Sequence, residues 1–410
     1  MSQRQHCWGA RPRLAALASF VAHGRPLCGE VVRIGLLDGK VIKDARAFAA
    51  LKEEWEDLHR TSLRTTPFQS WDWLHSWWEY YGKGYELRLV TLRDNEGLLV
   101  GLVPLVLERW RGFRRLLFMG TGLTDYLDIL AREGWENRVA ETGTQVLKQL
   151  ECWQVADLQR LRPEAAAWDL LQRWEGLRIR VPQAGCPIID VKPWDELVAD
   201  LSKNHRSTIR RTLRRAYKDG VRRELVKPED AKRAARRWVA LHREAWQGRE
   251  ILPEHSTQRW ASFAETVASR MITTRGLGEI SEFWLEGEAI VSTFWLYGRD
   301  SVGYYLHGAS QKAMQRYQIS SLLMWDGITL ALERHSTYLD MLRGEEPYKL
   351  RWSSNVLPNF RVVLGRNPVV SRLYAGYVIL RSITQQYVDA DSTPQWVRGA
   401  AHRLQKATGL

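Results

Sequence analysis

Ser301-Val302-Gly303-Tyr304-Tyr305-Leu306-His307-Gly308-Ala309-Ser310-Gln311-Lys312-Ala313-Met314-Gln315-Arg316-Tyr317-Gln318-Ile319-Ser320-Ser321 is the stretch on which the fold turns. Its aromatic, β-branched opening predicts a strand over 301–306, and the apolar run beyond it predicts a helix over 319–335. A strand, a polar loop and a helix N-terminus in that order bring unpaired backbone N–H groups and the positive end of a helix dipole to one point. Lys312 and Arg316 add charge there, so the segment is a candidate anion-binding loop. The same pattern fits Ser320 and Ser321 as simple helix caps.

Working outward, strands are predicted at 278–285 and 289–297, joined by the turn Glu286-Gly287-Glu288. Helices are predicted at 194–219, 228–246 and 255–269, and further strands at 338–342 and 361–364. The first half of the chain reads in the same order. Helices at 44–60 and 71–81 precede strands at 86–93 and 98–109, joined by Asp94-Asn95-Glu96-Gly97. A strand at 116–119, a helix at 136–149 and a strand at 155–161 follow. This repetition predicts an α/β (α+β) chain of two related lobes, each a mixed, mostly antiparallel sheet flanked by helices, and points to a duplication. Two unrelated α/β halves with generic hairpins would share part of the pattern. The expected divisions are an extension (1–30), a first lobe (31–190), a second lobe (191–366) and a peripheral helical tail (367–410).

A chain of 410 residues, 45% hydrophobic and 26% charged, has the profile of an ordinary globular protein able to bury a large core. Its 20 Trp are read as packing rather than as a ligand cage. Cys7, Cys28, Cys152 and Cys186 are widely spaced, which predicts free thiols in a reducing, cytoplasmic compartment and implies no metal. The apolar stretch 14–22 behind Arg11 and Arg13 imitates a secretory signal, but His23-Gly24-Arg25 follows at once, and it is read as an extension. No apolar run reaches the roughly 18 residues of a membrane span. Of the net charge of +13, residues 203–223 hold nine Lys/Arg against the single acid Asp219. Arg206, Arg210, Arg214 and Lys218 recur every fourth residue, with Arg211 and Arg215 beside them, while Ile209, Leu213 and Tyr217 are expected to form the buried side. Such a stripe is either a solvated face or a site for an anionic partner.

Three segments carry a family resemblance. Gln315-Arg316-Tyr317-Gln318-Ile319-Ser320 sits where GNAT acyltransferases have the acyl-CoA loop Q/R-x-x-G-x-G/A, with Gln318 and Ser320 standing where the superfamily favours glycine and glycine or alanine. Leu339-Asp340-Met341-Leu342-Arg343-Gly344-Glu345-Glu346-Pro347-Tyr348-Lys349-Leu350-Arg351-Trp352 looks like the D-x-x-x-G-x-x-x-Y-K-x-x-W/F signature of CelD-like, FemAB-related acetyltransferases. Asn204 to Arg211 together with Ala216 to Val221 is similar to that group's basic helix. The resemblance implies two tandem GNAT-like lobes and acyl transfer from acetyl-CoA or another acyl-CoA to an amine. It also implies a sugar-type acceptor in polysaccharide or cell-envelope synthesis.

On this reading Gln315, Arg316, Tyr317, Gln318, Ile319, Ser320 and Ser321 hold the donor. Arg206, Arg210, Arg211, Tyr348 and Lys349 are candidates for binding an anionic small-molecule or sugar-nucleotide acceptor. His307, Tyr305 and Asp340 are candidates for proton transfer. Each has a structural alternative: His307 as a satisfied histidine, Tyr305 as core, Asp340 in an ion pair with Lys349 or Arg351, and Lys349 as a clamp on the turn set by Pro347. GNAT-like enzymes attack directly, so no nucleophilic cysteine is needed, and no G-x-S-x-G elbow is present. Two other functions compete: a FemAB-type ligase taking its donor from aminoacyl-tRNA, and a non-catalytic nucleic-acid-binding protein centred on the basic helix.

Overall fold

A computed structural model of the chain describes residues 32–34, 37–247, 253–274 and 276–389. The signal-like stretch 14–22 and the end of the tail lie outside them.

The first half contains β1 (Val32–Ile34), β2 (Leu37–Ile42), α1 (Ala45–Ala50), α2 (Lys52–Thr61), α3 (Trp71–Tyr81), β3 (Tyr85–Leu87), β4 (Leu89–Arg93), β5 (Leu99–Val103), β6 (Leu105–Trp110) and β7 (Phe113–Phe118). It continues with β8 (Leu130–Ala131), α4 (Glu136–Gln149), β9 (Val155–Leu161), α5 (Ala167–Leu171) and β10 (Leu177–Asp190). The second half contains α6 (Trp194–Ala199), α7 (Lys203–Lys218), β11 (Arg222–Leu225), α8 (Ala231–Ala245), α9 (Gln258–Thr274), β12 (Gly278–Leu285), β13 (Glu288–Tyr297) and β14 (Ser301–Ala309). After these come α10 (Gln311–Arg316), α11 (Ile319–Glu333), β15 (Tyr338–Asp340), α12 (Pro347–Leu350), β16 (Val356–Gly365) and α13 (Pro368–Asp389).

Both halves follow one plan. In the second, β12, β13 and β14 form an antiparallel meander, and α11 carries the chain to β15, which pairs parallel with β14. In the first, β3, β6 and β7 are antiparallel, and α4 leads to β9, parallel to β7. The strand that completes each set comes from the other half. β10 pairs with β15 through its last residues, Ile188 to Asp190, and β16 pairs with β9. β10 and β16 also pair with each other, so a single 11-stranded sheet runs through both lobes. This reciprocal topology supports the duplication.

Two predicted strands prove to be broken. The run 98–109 divides at Pro104, which has no N–H to give a ladder; β5 joins a separate five-stranded sheet while β6 enters the large one. The run 86–93 divides likewise at Arg88, whose N–H bonds the Leu105 carbonyl at 3.0 Å. The predicted helix 194–219 breaks into α6 and α7, the latter capped by Ser202.

Aromatic side chains fill the space between the lobes. Trp73 of α3 meets Phe263 of α9 edge-on at 5.7 Å and Tyr305 of β14 at 5.1 Å, and Trp55, Trp77, Trp238 and Trp260 are buried in the same cluster. Edge-to-face pairs of this kind add about 0.5–1.5 kcal/mol each beyond the area they bury. They fix the angle at which the first lobe meets β14 and β15.

Candidate functional site

β14 and β15 stay together for three residue pairs, Ser301 with Tyr338, Val302 with Leu339 and Gly303 with Asp340. They then part. The chain after Asp340 turns toward β10, where the Met341 N–H bonds the Pro187 carbonyl at 2.9 Å and the Gly344 N–H bonds Gly185 at 3.0 Å. Leu342 takes a left-handed φ of 54° to make that turn. β14 runs on to Ala309 paired, among the described residues, only with β13, so its other edge has no strand neighbour beyond Gly303, and the gap this leaves is the candidate cleft.

A β-bulge adjusts the wall of that cleft. The register on β13 jumps between Phe294 and Trp295, leaving Tyr305 as the extra residue on β14. Tyr305 consequently packs into the inter-lobe aromatic core, whereas Tyr304 turns to the α11 side. The Tyr304 hydroxyl hydrogen-bonds His307 Nδ1, their rings stack at 28°, and Tyr304 is also hydrogen-bonded to Tyr348. Burial pushes the Tyr304, Tyr305 and Tyr348 phenols above their ordinary range. Behind β14, α8 comes so close that a Cβ on Gly308 would lie 2.3 Å from the His242 nitrogen. His242 Nδ1 bonds the His307 carbonyl at 2.8 Å, and burial holds its imidazole down at about 4 and therefore neutral.

The predicted donor segment ends on the first turn of α11. The Ser321 N–H bonds the Gln318 carbonyl at 2.9 Å and its hydroxyl bonds the Gln318 side chain at 2.8 Å. Among the described residues no acceptor takes the amides of Ile319 or Ser320. Lys312 and Arg316, read as charges for the loop, are instead committed to carboxylates: Lys312 to Glu286 at 2.9 Å and Arg316 to Asp219 at 2.6 Å. The hydrogen bonds from Arg316 and Tyr317 draw the Asp219 carboxyl down to about 2. Gln315 is exposed.

Asp340 lies on the opposite side of the sheet from His307, facing the first lobe. Its carboxylate accepts from the Tyr126 hydroxyl and from the Leu342 N–H, both at 2.8 Å, and burial raises it to about 6. The expected pair with Lys349 or Arg351 is therefore replaced by Tyr126. The buried Lys349 ammonium is held by the Arg343 carbonyl at 2.8 Å, the Leu342 carbonyl at 3.4 Å and Glu346 at 3.0 Å, and so pins the turn after β15. Cys186 is buried nearby, its thiol raised by desolvation. The three expected proton-transfer residues thus do not share one face.

α7 packs beside α11, with Arg215 donating to the Arg316 carbonyl at 3.3 Å. Arg210, Arg211 and Arg214 are exposed, and Arg206 half-exposed, with no ion pair among the described residues. Tyr217, expected on the buried side, is 88% exposed; the face that packs is Ile209, Thr212 and Ala216, which fall at the closer i, i+3, i+7 spacing.

Residues 203–350 match the family model described as an acetyltransferase (GNAT) domain. Over those residues the second lobe is similar to GNAT-type acetyltransferase domains. The GNAT segment runs from the first residue of α7 to the last of α12, and so contains the cleft, the α11 N-terminus and Asp340. Solved structures share the fold at low identity. FemX is 11% identical with a TM-score of 0.55, over 84% of this chain and 99% of its own. L-PGS from Bacillus licheniformis is 12% identical, TM-score 0.50, over 80% and 97%. A conserved protein of unknown function from Bacteroides thetaiotaomicron is 10% identical, TM-score 0.50, over 77% and 97%. No curated protein matches the chain. Among the described residues no helix is long and apolar enough to cross a membrane.

Sequence reading missed Tyr126, Tyr304 and His242. Tyr126 follows the Gly120-Thr121-Gly122 turn with no periodic signal, and its partner Asp340 is 214 residues away. Tyr304 was visible as the neighbour of Tyr305, but only the bulge decides which of the two faces the cleft.

Proposed function

We propose that the protein is an N-acyltransferase that moves an acyl group, acetyl in the first instance, from acyl-CoA to an amine on a small or sugar-type acceptor. The observation that carries this reading is the parting of β14 from β15 beyond Gly303 and Asp340, beside the free amides of α11, inside the GNAT-matched segment. An extended thioester laid along the open edge of β14 would have backbone partners there and its diphosphate at the helix N-terminus. Gln318 and Ser320 in place of glycines make the approach to that phosphate less close than in the family pattern. A cytoplasmic location is the expectation from the widely spaced cysteines, and a role in polysaccharide or cell-envelope synthesis is what the family resemblance implies.

The test is thermal stabilisation. Acetyl-CoA at about 100 times its Kd should add about 2.7 kcal/mol of stability, and thiol release should follow when an amine is supplied. A second reading, transfer from aminoacyl-tRNA, draws support from the fold shared with FemX and from the unpaired cations of α7 beside α11. Stabilisation by charged tRNA with silence toward every CoA thioester would decide for it, and the binding would weaken steeply with salt.

A further inference from the structure

The cleft between β14 and β15 has a counterpart on the other side of the sheet. A pocket of about 320 Å³ lies between the lobes, and its floor is Gly303 and Asp340, the last pair before the two strands part. Thr65, Tyr126 and Arg162 of the first lobe line it, and Arg299 stands on its rim. An occupant would therefore touch the point at which a thioester in the cleft ends.

Its charges are sorted. Arg162 lies over the Tyr126 ring at 5.2 Å and donates to the Arg64 carbonyl at 3.0 Å, but no carboxylate pairs with it among the described residues. Arg299 is exposed and likewise unpaired, whereas Arg64, also in the lining, is already bound to Asp169 at 3.0 Å. On the acidic side, Asp340 is at the floor, and Glu164 and Asp300 are at the margin. Two free guanidinium groups and a buried carboxylate match a ligand that carries both signs. The volume sits at the small end of the range for ligand pockets, about 300–1,000 Å³, and fits a substituted monosaccharide.

We infer that this pocket seats the acceptor, and that the acceptor is a primary amine bearing an anionic group, carboxylate or phosphate, with the amine at Asp340 and the anion at Arg162 and Arg299. This rests on the acyltransferase reading above and adds the substrate class. In the reaction the acceptor's ammonium first gives one proton through Asp340 to solvent. The neutral amine nitrogen then bonds the thioester carbonyl carbon, the carbon–sulfur bond breaks with its electron pair going to sulfur, and the second proton passes from nitrogen by way of Asp340 to the CoA thiolate, giving amide, free thiol and one proton released to solvent.

The experiment uses the full chain with acetyl-CoA and three amines of one skeleton: glucosamine, glucosamine 6-phosphate and muramic acid. Binding is read by calorimetry and turnover by thiol release. At least one anionic amine is expected to show kcat/KM ten or more times that of glucosamine, and the preferred one identifies phosphate or carboxylate as the anion. Arg162→Gln should raise KM for that amine tenfold or more with kcat and acetyl-CoA affinity kept and glucosamine unaffected. Arg299→Gln, on the exposed rim where folding is not at risk, should shift KM in the same direction. Equal use of glucosamine, equal loss of all three amines in the variants, or no binding of either anionic amine by a protein that binds acetyl-CoA overturns the inference. If acetyl-CoA itself fails to bind, the acyltransferase reading falls instead, while selective binding of an anionic amine lost in Arg162→Gln would still uphold the pocket.

Discussion

Asp340, with Gly303, stands where the parting of β14 and β15 meets the inter-lobe pocket, and its two hydrogen bonds leave a carboxylate raised by burial to about 6. That value suits a base at neutral pH, since the group is ionised yet still holds a proton well. If Asp340 takes the amine proton, activity should fall as pH drops below about 6, and Asp340→Asn should cost about 100-fold or more in kcat with acyl-CoA affinity intact. Stability should move the other way. The folded carboxyl binds its proton more tightly than the unfolded one, whose ordinary value is 3.8, so ionisation destabilises the fold. Stability contributed by this group therefore rises as pH falls from about 6 toward about 4, and melting curves of Asp340→Asn should lack that rise. Lys349 gives a contrasting case, because its ammonium is spent on Leu342, Arg343 and Glu346. Lys349→Met should lower thermal stability by about 1–3 kcal/mol by leaving those acceptors without a donor, whereas a residue that bound acceptor would show its loss in KM alone. Both residues were visible in the sequence through the Asp340 to Trp352 run, but their partners were not. Spacing along a chain cannot report that a tyrosine in the other lobe reaches a given aspartate.

At the scale of elements, α7 is the clearest case of a helix whose surface exceeds what folding needs. Its packing face is Ile209, Thr212 and Ala216, and the rest presents arginines with no carboxylate partner among the described residues. Like charges four residues apart cost about 0.2–0.5 kcal/mol per pair. Replacing Arg210 and Arg214 together by Gln should leave the melting temperature unchanged or slightly raised, while donor affinity drops several-fold and its salt dependence weakens; equal donor affinity in the variant would mark α7 as a solvated face. Elements with a strong local signal were legible: α4, β9 and β12 fall on the predicted residues, because amphipathic period and a Glu-Gly turn are properties of neighbouring residues. β10 was missed although Leu177 to Val181 alternates apolar and polar residues. The alternation is interrupted by a bulge between Gln183 and Cys186, and the strand's partner β16 lies well over a hundred residues downstream. Two features of the quoted stretch were misjudged: β14 runs on to Ala309, since nothing local says that a strand continues after its neighbour has left, and residues 311–316, expected as polar loop, form α10 behind the Ser310 cap.

For the whole molecule, the exchange of β10 and β16 means that neither lobe completes its sheet from its own half of the chain. The joint is reinforced where β16 crosses onto β9. Arg361 grips the buried Asp157 at 2.7 and 2.6 Å, and Tyr374 of α13 donates to the same carboxylate at 2.6 Å. Two lobes built on separate sheets would melt separately, and the one closer to its own midpoint would go first. Here the loss of either lobe strips a hydrogen-bonded neighbour from the other, so calorimetry should record one transition with equal calorimetric and van't Hoff enthalpies. Arg361→Met places the test at the joint. It leaves Asp157 buried with only Arg115, at 3.6 Å, for a cation, and breaking a buried pair from one side costs about 3–5 kcal/mol. The whole transition should move down as a single peak, carrying with it the acyl-CoA binding proposed for the second lobe, even though Arg361 lies outside the segment that matches the GNAT model. A split into two peaks, with the acyl-CoA-stabilised one unmoved, would mean that the lobes fold independently and that the continuous sheet contributes little to the cooperativity of the chain.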